Sequence, residues 1–333
     1  MILLPRSIPL IVPFNHALIQ RLPQSHPKLP IIEKDIRTFM AGYRGEVNTD
    51  YHLEFLNDNH HYVFQGIRLP HGTNFFQIDH LLICSKYILQ IETKNHRGEL
   101  TISEEQFSQT SNNSEKGYTN PYHQTMQHKD QLYDWLEAHG LPKLPIISLA
   151  VLSHPSAIIK STDSTILQHL CKVDNLKNKI LTHTNHLSER ICSEKELKRI
   201  SNFLLKDHTP HFPDLQTTYG ILPSELVHKV RCPNCTCFQM ARKDRVWVCP
   251  HCFYHSKTAY HDALLDYFLL IKPTITNREF RDFFGIDNIK TATYLLSSQD
   301  LPSTGIKKGR VYLRPIDFLA QIEERYLRQT SKQ

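Results

Sequence analysis

Glu92 and Lys94 stand two residues apart at the end of an apolar, β-branched run, in the stretch QIETKN at residues 90–95. On a strand, residues i and i+2 project from one face, so an acid and a base share one side of a segment that otherwise looks buried. Asp79 stands early in the preceding run, FFQIDHLLICS, and a hairpin reversal near Ser85 and Lys86 brings it beside Glu92. Two converging carboxylates suit a hard divalent cation, which takes oxygen ligands and keeps several waters. The neighbouring ammonium can orient a water or stabilise charge on a phosphate, which is the chemistry of phosphodiester hydrolysis. The competing reading is an edge-strand ion pair between Glu92 and Lys94, with Asp79 a turn residue.

A second constellation lies far along the chain. Cys232 and Cys235 (CPNC) are followed, after thirteen residues, by Cys249 and Cys252 (CPHC). This is zinc-ribbon spacing: two tight knuckles whose thiolates converge on a closed, tetrahedral, structural site. So small a module buries little apolar area, and zinc would supply its folding free energy. Cys237 and His251 read as bystanders. Lys229, Arg231, Arg242, Lys243, Arg245 and Trp247 flank the cysteines, and basic and aromatic residues of this kind suit phosphate and base contacts. A protein-binding ribbon is the alternative.

The elements that must position these residues follow from periodicity. Residues 1–35 read as an extended, proline-spaced arm. The segment from residue 31 to 58 has helical spacing, with Gly42 and Gly45 allowing close approach. HYVFQGIRLP, FFQIDHLLICS and KYILQIETKNHRGEL read as consecutive strands of one sheet. A polar loop around SNNSEKGYTN precedes a helix opened by Pro121, with Met126, Leu132, Trp135 and Leu136 on one side. LPIISLAVLS suits a strand covered on both faces, KILTH a short strand, and SEKELKRISNFLL a helix with a Ser193–Glu196 capping box. The order implies an α/β core with a mixed sheet flanked by helices over residues 36–205, then a linker over 206–228 and the ribbon over 229–256. Residues 257–333 read as three helices, the second capped by Thr276 and stopped by Gly285, followed by a hairpin with a basic turn, GIKKGRVYLRP. That is the outline of a winged helix-turn-helix. In such a domain Asn288, Lys290, Thr291 and Thr293 would meet the groove, and Lys307, Lys308 and Arg310 the backbone.

Charge supports that division. The chain of 333 residues carries a formal +6, yet residues 228–333 alone hold seventeen basic against ten acidic residues. The basic character therefore belongs to the C-terminal third, where a polyanion would be gripped. Only eleven glycines and no low-complexity tract speak against fibrous or long disordered regions. The apolar N-terminus is broken by prolines and too short to span a bilayer, and the cysteines read as reduced thiols, so a cytoplasmic protein without a membrane partner is expected.

Four motifs in order carry a family resemblance: GYRGE with Glu46, QIDHLLI with Asp79, IETKNHRG with Glu92, Lys94 and Gly98, and NPYHQTMQHKDQL with Asn120, Pro121 and Gln124. Over residues 38–155 the chain resembles the nuclease-related domain (NERD) family, placed in the PD-(D/E)XK nuclease superfamily, with the superfamily's Pro-Asp replaced by Ile78-Asp79. The resemblance implies a restriction-endonuclease-like fold and a site in which Asp79, Glu92 and the carbonyl of Thr93 hold Mg2+ or Mn2+. It implies further that Lys94 positions the attacking water, Glu46 acts as an outer ligand, and Gln124 holds Lys94 or the phosphate. His80, His96 and His123 are left as surface or packing residues. The resulting expectation is a metal-dependent nuclease acting on DNA, with RNA possible, whose ribbon and tail grip the substrate or a protein partner. The alternative is a non-catalytic nucleic-acid-binding regulator or adaptor on a silent nuclease fold.

Overall fold

The computed structural model describes residues 1–56, 60–111 and 114–331. It divides the chain into two compact units, one of Met1–Ser7 with Thr38–His211, the other of Ile8–Arg37 with Phe212–Gln333. The chain opens with strand β1 (Ile2–Leu4) and helices α1 (Ile11–Arg21) and α2 (Leu29–His52). The extended arm expected at residues 1–35 is thus mostly helical. Pro13 lies in the first turn of α1, where its missing N–H has no intrahelical partner to lose, so it starts a helix and breaks none.

In the first unit, β2 (Tyr62–His71), β3 (Asn74–Ile83) and β4 (Ile88–Lys94) form the antiparallel meander read from the sequence. Three further strands, β5 (Gly98–Ile102), β6 (Phe107–Ser111) and β7 (Ser114–Tyr118), replace most of the polar loop expected around residues 111–120; residues 112 and 113 lie outside the described ones. Helix α3 (Pro121–Ala138) starts at the expected proline, capped by the Asn120 side chain. It is followed by β8 (Ile146–Leu152), buried at every position, and by β9 (Ala157–Lys160), α4 (Ser164–His169) and β10 (Leu170–Lys172). KILTH is not a strand. It lies in α5 (Leu176–Thr184), where Leu176 and Ile180 bury themselves one turn apart. Helix α6 (Glu194–Asp207) carries the capping box of Ser193 and Glu196.

The main sheet has the order β1-β2-β3-β4-β8-β10, with β4, β8 and β10 parallel, and it is a mixed α/β sheet covered on both faces. One face packs Ile67, Ile78 and Leu81 against Leu132, Trp135 and Leu136 of α3 and Ile200 and Leu204 of α6. The other packs Leu82, Leu89 and Leu149 against Leu53, Leu176 and Ile180. The smaller sheet, β7-β6-β5-β9, has its own core around Leu100, Ile102 and Phe107.

The second unit gathers residues 8–37 with α7 (Leu215–Tyr219), the cysteine-bearing strands β11 (Ala241–Lys243), β12 (Val246–Val248) and β13 (His255–Ser256), and helix α8 (Ala259–Leu270). The segment expected to be a linker, residues 206–228, contributes to this core, with Leu215, Ile221 and Leu226 buried. After α8 come β14 (Thr274–Thr276), α9 (Asn277–Phe284), α10 (Ile289–Ser297), β15 (Ser303–Thr304), β16 (Val311–Leu313) and α11 (Phe318–Thr330). Thr276 caps α9 with Glu279 in a capping box, and Gly285 ends it, both as expected. Strands β14, β16 and β15 form a small antiparallel sheet behind α9 and α10, and Phe280, Phe284, Leu296 and Tyr312 join them in one core. Among the described residues no helix is long and apolar enough to cross a membrane.

Candidate active site

The site lies where the ladder between β2, β3 and β4 opens. Gln65 pairs with His80 and Ile67 with Ile78, so Gly66 faces Asp79 at an irregular step, and Gly66 holds a φ of 71° that a residue with a Cβ rarely adopts. Pairing of β3 with β4 ends at His80 and Ile91, which sets Asp79 across from Glu92. The freed amide of Thr93 donates to Asp79 Oδ2 at 2.9 Å. Strand β4 lies between β3 and β8, so the edge-strand reading of Glu92 and Lys94 fails.

Lys94 Nζ donates to Glu92 Oε1 at 2.8 Å and to Gln124 Oε1, on α3, at 2.9 Å. The ammonium is therefore held between strand and helix, one-fifth exposed, while Glu92 is buried. His128, one turn beyond Gln124, places Nδ1 3.8 Å from Glu92 Oε2. Burial, with Asp79 adding repulsion, outweighs Lys94 and pushes the Glu92 carboxyl up to about 8. Burial holds the His128 imidazole below its ordinary range, so it brings no charge to Glu92 at neutral pH.

Helix α2 brings Glu46 and Asp50 one turn apart on the face turned toward the sheet. Its docking depends on Gly45, where an added Cβ would lie 2.5 Å from Ser153 Oγ and 2.6 Å from the Asn95 Cβ. Gly42 meets nothing within 4 Å, so of the two glycines only Gly45 makes the close approach expected of both. Asn95 donates to the Ala41 carbonyl and Asn48 to that of Ser153, which ties the helix to the residues just past the ends of β4 and β8. Ligands of open α/β sheets gather at such carboxyl ends.

Arg6, from the short segment after β1, is a member of the site that carried no signal in its sequence neighbourhood. Its guanidinium pairs with Glu46, donates from Nε to Asp50 Oδ2 at 2.5 Å, and reaches the Asp79 carbonyl at 2.9 Å. Burial would lower its pKa, but Asp50, Glu46 and Asp79 together hold it above the ordinary value. His80 is fully buried and belongs to the same network: Nδ1 lies 2.8 Å from Asp50 Oδ1 and Nε2 3.0 Å from Thr93 Oγ1, which in turn donates to Thr49 at 3.2 Å. His96 packs on Phe107 and Tyr118, and His123 meets the Glu104 carbonyl, so both stay outside. Glu46, which burial and Asp79 raise to about 7 despite Arg6, lies beside an arginine that the sequence did not assign to it.

Among the described residues, Glu46, Asp50, Asp79 and Glu92 thus face only two lasting cations, Arg6 and Lys94. The donor set is all oxygen, crowded and short of positive charge, which fits a hard divalent cation. Among the described residues, Glu46, Asp79 and Glu92 do not bring three ligating atoms within 4.8 Å of one another; only Cys232, Cys235, Cys249 and Cys252 do so. That cysteine cluster could hold zinc. Its two knuckles share one backbone pattern, the carbonyls of Cys232 and Cys249 each accepting at 3.0 Å from the amide four residues on, of Thr236 and Phe253. Cys237 is nearer than expected of a bystander, its sulfur 3.4 Å from that of Cys235 and 3.3 Å from that of Cys249.

The expected nucleic-acid contacts divide by exposure. Lys243 and Arg245 are exposed and Arg242 is half-buried in the β11–β12 hairpin, but Trp247 is fully buried against Tyr260 and presents no face to a base. Lys290, Lys307, Lys308 and Arg310 are exposed. Asn288 is spent capping α10, and the Thr293 hydroxyl is engaged by Ile289 and Asn277.

The mixed sheet thus brings Asp79, Glu92 and Lys94 together where β3 and β4 part. Residues 41–153 match the family model of the nuclease-related domain, NERD, so the chain carries that domain, and Glu46, Asp79, Glu92, Lys94 and Gln124 all fall within the match. No curated protein and no solved structure matches the chain. The domain points to a nuclease-related function and to nucleic acid as partner.

Proposed function

We propose that the protein is a divalent-metal-dependent nuclease that hydrolyses phosphodiester bonds in DNA. The observation that carries this reading is the placing of the Lys94 ammonium between Glu92 and Gln124, with Asp79 across from Glu92, in a matched NERD domain. Asp79, Glu92 and the Thr93 carbonyl are the groups that would hold Mg2+ or Mn2+, and the ion when bound supplies Lewis-acid stabilisation of charge on the phosphate. Lys94, fixed by two acceptors, orients the attacking water from the strand end; Gln124 keeps the ammonium aimed there when Glu92 turns its charge elsewhere. Arg6 holds Glu46 and Asp50 against the Asp79 strand, and so fixes the acid-bearing helix.

The second unit supports a substrate-gripping role. The order of β14, α9, α10, β15 and β16, with Lys307, Lys308 and Arg310 exposed on the turn before β16, supports a winged-helix DNA module next in sequence to a zinc ribbon. On this reading the nuclease module is the unit of Met1–Ser7 with Thr38–His211, the ribbon at 229–256 and the winged helix at 257–333 belong to the unit of Ile8–Arg37 with Phe212–Gln333, and the protein works in the cytoplasm. The test is cleavage of single-stranded, double-stranded and branched DNA and of RNA with Mn2+ and with a chelator. Metal-dependent cleavage of a DNA substrate supports the proposal. Tight DNA binding without cleavage of any substrate would replace it with the non-catalytic adaptor.

A further inference from the structure

The zinc reading uses four sulfurs, but a fifth lies against them. Cys237 Sγ is 3.3 Å from Cys249 Sγ and 3.4 Å from Cys235 Sγ, while those two are 3.5 Å apart, so the three form a triangle on one edge of the cluster. Cys232 and Cys252 make the other close pair, at 3.6 Å. A closed tetrahedral site takes four thiolates, which leaves one sulfur over. The backbone shows which it is. The Cys232 amide donates to the Cys237 carbonyl at 2.8 Å, as the Cys249 amide donates to that of Tyr254 at 3.0 Å. Thr236 and Phe253 both hold a positive φ, of 64° and 58°. The two knuckles therefore repeat one pattern, in which Cys232 corresponds to Cys249, Cys235 to Cys252, and Cys237 to Tyr254. A knuckle needs only a carbonyl at that last position, and the second knuckle fills it with a tyrosine. The Cys237 thiol is thus surplus to both fold and coordination, half-buried, and in contact with two ligand sulfurs.

We propose that Cys237 is an oxidation site through which a peroxide ejects the ribbon's zinc, by way of a bridge from Cys237 to Cys249. The Cys237 sulfur attacks one peroxide oxygen: an S–O bond forms, the O–O bond breaks, and the departing hydroxide takes the thiol proton and leaves as water, with a sulfenic acid on Cys237. The Cys249 thiolate, already in contact, attacks that sulfur: the S–S bond forms, the S–O bond breaks, and the departing hydroxide takes a proton from solvent. The two sulfurs give up two electrons and one hydrogen peroxide becomes two waters, so no other oxidant is needed. Cys249 is the partner because only Thr236 separates Cys237 from Cys235, and a bridge closing so short a loop is strained. The cluster then keeps three thiolates and no longer closes around a metal, and the ribbon, whose folding depends on that metal, opens around the buried Trp247.

This rests on a zinc-loaded ribbon, which metal analysis of the untreated full chain checks separately: absence of zinc there overturns the ribbon reading and this proposal with it, whereas the outcomes below concern Cys237 alone. The zinc-loaded full chain is treated with hydrogen peroxide, the released metal is followed with a chromogenic chelator, and bridged peptides are mapped by mass spectrometry. The expected result is loss of the ribbon's zinc in step with a Cys237–Cys249 bridge, both reversed by a thiol reductant and added zinc. Cys237→Ser and Cys237→Ala keep all four ligands, so they hold zinc before treatment and lose it at least about tenfold more slowly than wild type. Equal release rates in wild type and variants, or a bridge in wild type that joins the four ligands only among themselves, would overturn the assignment. Zinc already missing from both untreated variants would overturn it as well, and would make Cys237 a ligand.

Discussion

Replacing Glu92 with glutamine should stabilise the metal-free protein at pH 8 while removing its metal response. The Glu92 carboxyl is buried beside Asp79 and titrates near 8 against an ordinary 4.5. The folded state thus disfavours its charge, and the sign follows: a raised carboxyl contributes fully below 4.5, and that contribution is lost as pH rises toward 8. A tenfold change in proton affinity is worth about 1.4 kcal/mol, which bounds the full effect near 5 kcal/mol. Asp79 and Glu46 share the repulsion, and Lys94 loses an anion when glutamine replaces Glu92, so a net gain of about 1–2 kcal/mol at pH 8 is expected. For a unit of this size that is an upward Tm shift of roughly 2–8 °C. At pH 5 most of the penalty is gone in wild type, and the gain shrinks to a few tenths of a kcal/mol. Circular-dichroism melts at both pH values with a chelator, then with Mn2+, measure all of this. Mn2+ should raise the Tm of wild type at pH 8 and leave that of Glu92→Gln unchanged. If Glu92→Gln is destabilised, and equally so at both pH values, Glu92 is the structural partner of Lys94 and its assignment as a metal ligand fails.

Other substitutions probe neighbouring parts of the molecule. Arg6→Met strands Glu46 and Asp50, each about one-fifth exposed or less, and should cost about 3 kcal/mol in urea unfolding; a loss under about 1 kcal/mol would make the ion group incidental. Gly45→Ala drives a methyl group into Ser153 and Asn95 and should cost about 1–3 kcal/mol, with a loss of any cleavage activity larger than the loss of stability explains. Zinc analysis should find one metal per chain, and a chelator should expose Trp247 and shift its emission to the red; zinc content unchanged in Cys232→Ser with Cys235→Ser would remove the ribbon. Replacing Lys307, Lys308 and Arg310 by serine should weaken duplex binding uniformly across sequences and lower the salt slope by about 2–3; an unchanged slope would free the wing from phosphate contact.

Local pattern makes much of this legible. Period-two alternation places Glu92 and Lys94 on one strand face and Asp79 across from them, and helical spacing finds α2, α3, α6 and, after the ribbon, α8, α9 and α10, but not the last helix, α11. The failures share a cause. Pro13 counts as a breaker in isolation although it occupies a first turn, and KILTH reads as a strand by itself although its Ile180 pairs with Leu176 one turn earlier. Leu215 and Ile221 sit among polar residues and prolines, and only the fold shows that they belong to a core. Arg6 reaches partners 40 to 74 residues away, through a segment whose place beside β2 no spacing encodes. His128 and Asp50 carry the period of their helices, yet their meaning depends on Glu92 and Arg6 being present. Trp247 shows the reverse error, since an aromatic among basic residues looks like a stacking platform and is the ribbon's core.

Whether Lys94 serves phosphodiester hydrolysis is decided by comparing wild type with Lys94→Ala in single-turnover cleavage of a DNA substrate with Mn2+. Lys94 is one-fifth exposed and its loss leaves Glu92 free to take a proton, so the variant should fold and still bind DNA. Metal-dependent cleavage by wild type is expected, with a rate lower by about 10²–10³ in the variant. Equal rates for the two proteins would contradict the role given to Lys94 and, with it, the nuclease mechanism.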